Sequence, residues 1–376
     1  MLIKQQMLLK RSGYVLALAM GFVALVSVLV TGLVHRVIVF HRVQYALVDR
    51  EQARLLALSG VNIAIAQITD AQKAGEKKKD EKQNQAQQKQ QKQQAPVPQA
   101  APGAKQPQGQ PQQAQAGVSI KDQLTKLTVV INRWQTFSLP KEAGVEGSCE
   151  IYIASERGKI DLNSIYDFSQ RKFVKRDGFD GEKICQLVGE KLSSVVKSGS
   201  FAELLTTFLK ERGYPLTDIS QLVADKRFEK LRDRLFVTPN GGLALYDLFT
   251  VETQQAQIQP WFITSGVGQV LGFKVGKMLD AKIWQKSIEK LPASVGTLIW
   301  QQQWDTLVAP VYGKEYAKLT NEVKSMFAQK FESAPFSVVS YGKFGAFTTR
   351  VYAIIEEKKS EQGSATGFGI RKLYWF

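Results

Sequence analysis

The feature that most constrains this chain is an uninterrupted apolar run from Tyr14 to Val34, preceded by the basic residues Lys4, Lys10 and Arg11. At a rise of about 1.5 Å per residue, an α-helix of about 21 residues just spans a bilayer hydrocarbon core of about 30 Å. The apolar core of a secretory signal peptide is shorter, at about 7–15 residues, and a cleavage site between small residues follows it. The run therefore predicts a membrane-spanning helix that remains in the protein.

The apolar pattern continues past the span at helical spacing, as far as Thr69, and no proline interrupts residues 1–70. The span and its amphipathic extension therefore read as one long helix over residues 14–70. The alternative is a plain signal anchor followed by a separate helix. Basic residues follow the span as well as precede it, but a large following domain translocates largely regardless of its charge, so we expect a cytoplasmic N-terminus.

Residues 71–117 consist mainly of Gln, Lys, Ala and Pro. Such a composition cannot bury enough apolar surface to offset the entropy of ordering. It predicts a disordered linker, with a helical start in the lysine-rich part as the alternative.

Beyond the linker, local patterns predict an α+β fold with an antiparallel sheet and a large helical region. Turn signals such as Gly213-Tyr214-Pro215 separate the predicted helices. The predicted elements are a helix over 120–137, a strand over 149–154, three helices between 187 and 235, a strand over 248–253, helices between 275 and 330, a hairpin over 336–356 and a last strand over 368–376.

Few residues in the chain could carry catalytic or metal chemistry. The two histidines, His35 and His41, lie at the membrane border. A Ser-His-Asp or Cys-His site in the folded domain is thereby excluded, as are the usual zinc sites. The glycines near residue 268 do not form a nucleotide-binding fingerprint. We therefore expect neither an enzyme nor a protein with a cofactor.

The chain is basic, with a formal net charge of +16, but the excess is scattered and no nucleic-acid-binding motif accompanies it. We expect no nucleic acid partner. The one tight acidic cluster, formed by Asp177, Asp180 and Glu182, has oxygen ligands that suit calcium. A solvated acidic loop is the simpler interpretation, so calcium is left unplaced.

Cys149 and Cys185 are the only cysteines in the chain. In an exported domain they could form one disulfide. The alternative is two small buried apolar side chains. Spacing along the chain does not decide between the two, because disulfide formation depends on distance in the fold.

The segment Lys10-Arg11-Ser12-Gly13, followed directly by the apolar run, resembles the class III signal of type IV pilins and type II secretion pseudopilins. The resemblance implies that a prepilin peptidase cuts between Gly13 and Tyr14. The segment from Arg50 to Val61 resembles the helix of pseudopilins, and its matching positions are Arg50, Gln52, Ala53, Ser59 and Gly60.

Two further positions resemble the K-type minor pseudopilins of type II secretion. Pilins carry a glutamate five residues after the cut, where this chain has Leu18, and K-type members also lack the glutamate. A carboxylate within an apolar span is costly unless it is paired, and a subunit at the tip of a fibre has no need for one. The segment from Gly158 to Asn163 resembles a K-type motif, with Asp161 where Asn is usual.

This resemblance implies a domain order. Residues 1–13 would be the leader, 118–175 and 331–376 two halves of a pilin-like α/β domain, and 176–330 a helical insertion. It also implies an inner-membrane protein with a periplasmic C-terminal domain. Its partners would be the prepilin peptidase, the other minor pseudopilins and the major pseudopilin. Two alternatives remain: a minor pilin of a type IV pilus, and a single-pass envelope adaptor that binds a partner through 180–330.

Overall fold

The computed structural model of the chain describes residues 2–91, 120–139, 147–176, 178–196, 200–239, 241–278, 280–292, 298–359 and 365–376. The side chains of 2–14, 74–91, 194–196, 277, 359 and 365–366 lie outside that description.

Long and short helices make up most of the described chain. The α-helices are α1 (Leu2–Gln91), α2 (Ile120–Val130), α3 (Leu162–Ile165), α4 (Gly181–Val196), α5 (Phe201–Arg212), α6 (Ser220–Ala224), α7 (Leu245–Leu248), α8 (Ser265–Val270), α9 (Val275–Met278), α10 (Ala281–Glu289), α11 (Trp300–Leu307), α12 (Ala309–Tyr312) and α13 (Asn321–Ser325). Short 3-10 helices occur at Glu156–Gly158, Lys226–Arg234, Pro260–Phe262 and Tyr316–Lys318.

The strands fall into one main sheet and several two-residue pairs. They are β1 (Trp134–Ser138), β2 (Gly147–Ser155), β3 (Ile160–Asp161), β4 (Tyr166–Asp167), β5 (Lys172–Phe173), β6 (Lys175–Arg176), β7 (Phe179–Asp180), β8 (Phe249–Thr250), β9 (Phe336–Phe344), β10 (Phe347–Lys359) and β11 (Ala365–Trp375). Together with α1 and the helical region, they confirm the predicted α+β fold with an antiparallel sheet and an inserted helical part.

Over the described ranges, the main sheet has five antiparallel strands in the order β1-β2-β9-β10-β11. Successive side chains on a strand point to opposite faces, so each face has its own set of contacts. Ile151 and its partner Ser340 lie on the face that α1 covers. Tyr152 and Tyr352 lie on the other face, where the ring of Tyr352 is 4.1 Å from that of Tyr246 in the helical region.

The segment from Gly158 to Asn163 joins the sheet to the helical region. A Cβ added at Gly158 would lie 1.8 Å from the carbonyl oxygen of Phe262, so this backbone contact requires glycine. Asp161 is fully buried and caps α3, while its second oxygen accepts hydrogen bonds from the Thr253 and Gln254 backbone. The motif recognised in the sequence therefore holds two parts of the fold together.

The helical region has an aromatic core of its own. The rings of Trp284 and Trp300 each lie 6.0 Å from that of Trp261, and Trp304 stacks on Phe327 at 4.7 Å. Three of the four tryptophans donate their indole N–H to a backbone carbonyl, as buried indoles usually do. The insertion is thus a packed body rather than a set of loops.

The structure corrects three of the predicted elements, and the first is the strand predicted over 248–253, which is reduced to Phe249–Thr250. The helix predicted over 120–137 ends at Val130, and Trp134 begins a strand instead. Trp134 lies 5.5 Å from Tyr152 on the neighbouring strand, a tertiary contact that outweighs the local helical spacing. The last of the three helices predicted between 187 and 235 is a short α6 followed by a 3-10 helix, Lys226–Arg234.

The boundary placed between helix and linker at residue 70 also differs. α1 continues to Gln91, and Ala71, the first residue assigned to the linker, is 1% exposed. The buried apolar face of the helix therefore extends at least one residue past the point where the composition changes. The rest of the predicted linker, from residue 92, lies outside the described residues.

Candidate assembly surface on the N-terminal helix

The outer half of α1, from Val15 to Val48, exposes large apolar side chains, and as far as Val34 the helix is apolar on all sides. Every large apolar side chain in this stretch is at least 40% exposed. Within the described residues, α1 is the one helix long and apolar enough to cross a membrane. A helix that is hydrophobic all round requires an apolar environment, and a bilayer supplies one.

The exposed stretch is longer than a bilayer core. At about 1.5 Å per residue, a bilayer core of about 30 Å takes up about 20 residues, so the helix after Val34 projects beyond it. There, Val37, Phe40, Val43 and Leu47 are 52–60% exposed and follow at intervals of three and four, which places them along one stripe. A solvated helix gains nothing from such a stripe, so it marks an interaction surface.

The inner half of α1, from Ala53 to Ala71, is packed on the sheet through small residues. Ala53, Ala57 and Ala64 are fully buried, and Gly60 lies on the same face. A Cβ added at Gly342 of β9 would lie 1.9 Å from the carbonyl oxygen of Ala53. A Cβ at Gly60 would lie 2.2 Å from Ser340 Oγ. Helix and strand backbones therefore touch, which only glycine and alanine permit.

This packing shows where the residues singled out in the sequence lie. Ala53 and Gly60 face the protein's own sheet. Ser59 is exposed and donates to the Leu55 carbonyl, Gln52 is half-buried, and Arg50 and Leu18 are exposed. The backbone of Gly13 and Tyr14 is part of α1, but their side-chain surroundings lie outside the described residues.

A groove of about 610 Å³ lies at the base of the exposed stretch, between α1 and the C-terminal strand. The guanidinium of Arg54 stacks over the Trp375 ring at 4.3 Å, and Arg50 and Phe347 line the groove beside them. Sequence reasoning missed Trp375, because the sequence marks it only as a large aromatic residue in the last predicted strand. The groove places a cationic and aromatic edge beside the apolar stripe.

Cys149 and Cys185 are free thiols, and both are buried. Burial raises the pKa of both thiols, and raises that of Cys185 to about 12. A thiol that stays protonated is a poor nucleophile and a poor metal ligand. The structure therefore matches the second interpretation, two small buried apolar side chains, and contains no disulfide between them.

The acidic cluster predicted as a calcium candidate is only partly described, because Asp177 lies outside the described residues. Glu182 and Asp180 lie 3.3 and 3.5 Å from the ammonium of Lys175, and Asp180 also accepts from the backbone at the start of α4. The hydrogen bond to Glu182, followed by the charge of Asp180, raises the pKa of Lys175. Across the described ranges, no group of three His, Cys, Asp or Glu side chains could hold a metal ion.

A polar network is buried between the sheet and the helical region. Lys159 forms an ion pair with Glu156, and its ammonium lies 2.7 Å from Ser337 Oγ. The hydroxyl of Tyr152 donates to Asp247 at 2.9 Å, and burial raises the pKa of that carboxyl. These side chains are at most 4% exposed, so the network acts as a joint rather than as an open site.

Comparison with known proteins finds similarity among solved structures alone. No protein-family model matches the chain, and no curated protein matches its sequence. Among solved structures, it is similar to a chain of the GspK–GspI–GspJ complex from the type 2 secretion system of enterotoxigenic Escherichia coli. The identity is 12%, the match covers 67% of this chain and 91% of that chain, and the TM-score is 0.36. No residue role is transferred from it.

Proposed function

We infer that this chain is a minor pseudopilin, a structural subunit at the tip of the pseudopilus of a type II secretion system. One observation carries the proposal: a single helix has an outer half that exposes large apolar side chains, on all sides as far as Val34, and an inner half fixed rigidly to a sheet. A fixed membrane anchor needs only the span. A helix that must leave the bilayer and join a bundle needs the rigid connection as well.

In this proposal the apolar surface of the outer half is covered both in the membrane and in the fibre. In the inner membrane, the acyl chains cover it. In the fibre, the helices of neighbouring minor and major pseudopilins cover it, with the stripe from Val37 to Leu47 as the contact beyond the bilayer. The folded domain is then periplasmic, and the role is structural rather than enzymatic.

Leu18 fits the tip position. No carboxylate occurs in the outer half before Asp49, so the span has no charge that a neighbouring subunit would have to neutralise. A subunit of this kind can begin a fibre without docking behind another subunit. The helical region adds bulk at the end of the fibre, as expected for a K-type minor pseudopilin.

Processing at Gly13 provides the first test. The mature protein, purified from its native membrane and measured by intact mass, should begin at Tyr14 after cleavage by the prepilin peptidase. Gly13→Ala should retain the leader and abolish assembly. The matched control is Gly21→Ala, also a glycine in α1, where an added Cβ meets nothing within 4 Å; it should be processed normally.

The alternatives give different outcomes. A mature protein that still begins at Met1, or a Gly13→Ala variant that functions normally, would favour a single-pass envelope adaptor. Deletion of the gene separates the two fibre systems: loss of protein export with surface pili intact supports the pseudopilus. Loss of pili with export intact supports a minor pilin of a type IV pilus.

A further inference from the structure

Directly after the apolar run, α1 carries four polar side chains in two adjacent pairs, His35–Arg36 and His41–Arg42. All four are exposed, and the apolar residues Val37 to Phe40 separate the pairs. The first acidic residue of the whole chain is Asp49. We call these two pairs the juxtamembrane band; it is cationic with no acidic residue inside it.

The arginines of the band have no protein partner in the part of the chain that the structure describes. Neither Arg36 nor Arg42 is within ion-pair distance of a described carboxylate. Further along the same helix, Arg54 lies 3.8 Å from Glu51 and stacks on Trp375. The fold thus provides contacts for an arginine near the sheet and leaves the two of the band open.

The position of the band along the helix indicates what lies around it. With about 1.5 Å of rise per residue, the first pair lies about 2–3 Å beyond the end of the run, and the second pair about 10–12 Å beyond it. The headgroup layer adds about 5–7 Å to each side of the hydrocarbon core, and long basic side chains extend along the helix towards it. Arg50, about 24 Å beyond the run, lies outside this layer.

The chemistry of the band matches phosphate. A guanidinium binds a phosphate group with two parallel hydrogen bonds, and an imidazole donates one more. Arg36 and Arg42 are six residues apart, so they point about 120° apart around the helix and would contact different lipids. Phe40 and Tyr45 add aromatic rings of the kind found at membrane interfaces.

We propose that the juxtamembrane band binds the phosphate headgroups of anionic phospholipids in the leaflet next to the folded domain and thereby fixes the depth of α1. The proposal rests on the membrane anchoring proposed above. It also accounts for arginines on a side of the membrane where basic residues are disfavoured. An acidic surface on a neighbouring subunit would be the other partner, but the band starts one residue after the span, where headgroups surround any helix.

Fluorescence quenching by brominated lipids can test the proposal on the full chain reconstituted in vesicles. A fluorophore attached to Gln44→Cys lies beside the band, and the buried Cys149 and Cys185 should not react. We expect brominated phosphatidylglycerol to be favoured over brominated phosphatidylcholine at the label. Each arginine should contribute about fivefold to that preference.

Matched variants make the result decisive. Arg36→Gln with Arg42→Gln should remove the preference, whereas the charge-preserving Lys pair and the control Arg50→Gln should keep it. An equal response of the unmodified chain to both lipids would overturn the proposal, as would an equal loss in Arg50→Gln. An equal response to both lipids, together with crosslinking of the band to an acidic surface of a second subunit, would assign the band to that protein partner instead.

Vesicle flotation keeps this test separate from the proposed function. If the chain floats with the vesicles but shows no lipid preference, the proposed lipid binding by the juxtamembrane band is wrong and the membrane anchor stands. A chain that does not float contradicts the membrane anchor itself.

Discussion

The two halves of α1 have similar apolar content and opposite surroundings. Between Val15 and Val48 the large apolar side chains point outward from the helix on every side. Between Ala53 and Ala71 one face is buried against the sheet. The difference lies partly in side-chain size, because large residues dominate the outer half, whereas alanine and glycine lie at the closest contacts of the inner half, beside the larger buried Leu56, Val61 and Ile68.

Small residues let the two backbones approach, and close approach makes the joint stiff. Tightly packed interiors transmit displacement rather than absorb it. A force on the outer half of the helix would therefore move the sheet and the helical body with it. Large exposed residues, by contrast, suit an interface that must exchange lipid for protein.

The difference between the two halves of α1 predicts the largest effect on stability at Gly342. In Gly342→Ala the new methyl group would lie 1.9 Å from the Ala53 carbonyl oxygen and 2.4 Å from the Ala57 nitrogen, both backbone atoms. Neither can move without shifting the helix, so we expect the free energy of unfolding to fall by about 3 kcal/mol or more. Chemical denaturation in detergent measures it.

The matched control for that change is Gly276→Ala, where an added Cβ meets nothing within 4 Å. It should be neutral or stabilise α9 by up to about 1 kcal/mol through helix propensity. If Gly342→Ala were as stable as this control, α1 would not be held on β9 by close packing, and the comparison between the halves would fail.

A pair of glycines within α1 tests the two halves directly. Gly60→Ala would bring a Cβ within 2.2 Å of Ser340 Oγ and 2.7 Å of Ile151, both side-chain atoms that can yield in part. We expect a net loss of about 1–2 kcal/mol. Gly32→Ala meets nothing within 4 Å and should change stability by less than about 0.5 kcal/mol. Equal effects in thermal unfolding would contradict the difference in packing.

A buried polar network lies on the opposite face of the sheet, beside aromatic contacts, so the free energy of unfolding should depend on pH through this network. Burial raises the pKa of Asp247, which means that the folded state binds this proton more tightly than the unfolded state. Stability is therefore lost as pH rises from about 4 through the raised pKa. Asp247→Asn cannot ionise, and its amide can still bond to Tyr152 and Gly266.

The free energy of unfolding of Asp247→Asn, relative to the unmodified chain, should therefore improve as pH rises through that window. Melting curves between pH 4 and 8 measure the difference. Parallel stability profiles for the two proteins would mean that the pKa of the Asp247 carboxyl is the same in the folded and unfolded states, so that burial does not raise it. The packing of α1 should show no such dependence, because it involves apolar groups.

The sequence predicted the outer half of α1 better than the inner half, and the reason is physical. An all-round apolar run requires burial in lipid or protein whatever the rest of the chain does, so Tyr14–Val34 could be recognised alone. The role of Ala53 and Gly60 depends on Gly342, nearly three hundred residues later. Local patterns carry no information about that contact.

The errors elsewhere have the same origin. The helical spacing through Ile131 is real, and α2 follows it, but Trp134 pairs with a strand whose position is set by the tertiary fold. Composition placed the linker at Ala71, although one more helical turn brings that small residue back onto the buried face. Asp161 was recognised as part of a motif, but its bonds to Thr253 and Gln254 could only be seen in the structure.

The smallest expected change in stability is at Leu47, on the exposed stripe. Leu47 is 56% exposed, so Leu47→Gln should change the free energy of unfolding of the isolated chain by less than about 0.5 kcal/mol. In the fibre the same side chain would be covered by a neighbouring helix, so the glutamine should weaken assembly and reduce export. Crosslinking to other subunits, with denaturation as the stability control, measures both. A variant that loses stability but assembles normally would reverse the assignment, because Leu47 would then belong to the fold and the outer half would offer no interface beyond the membrane.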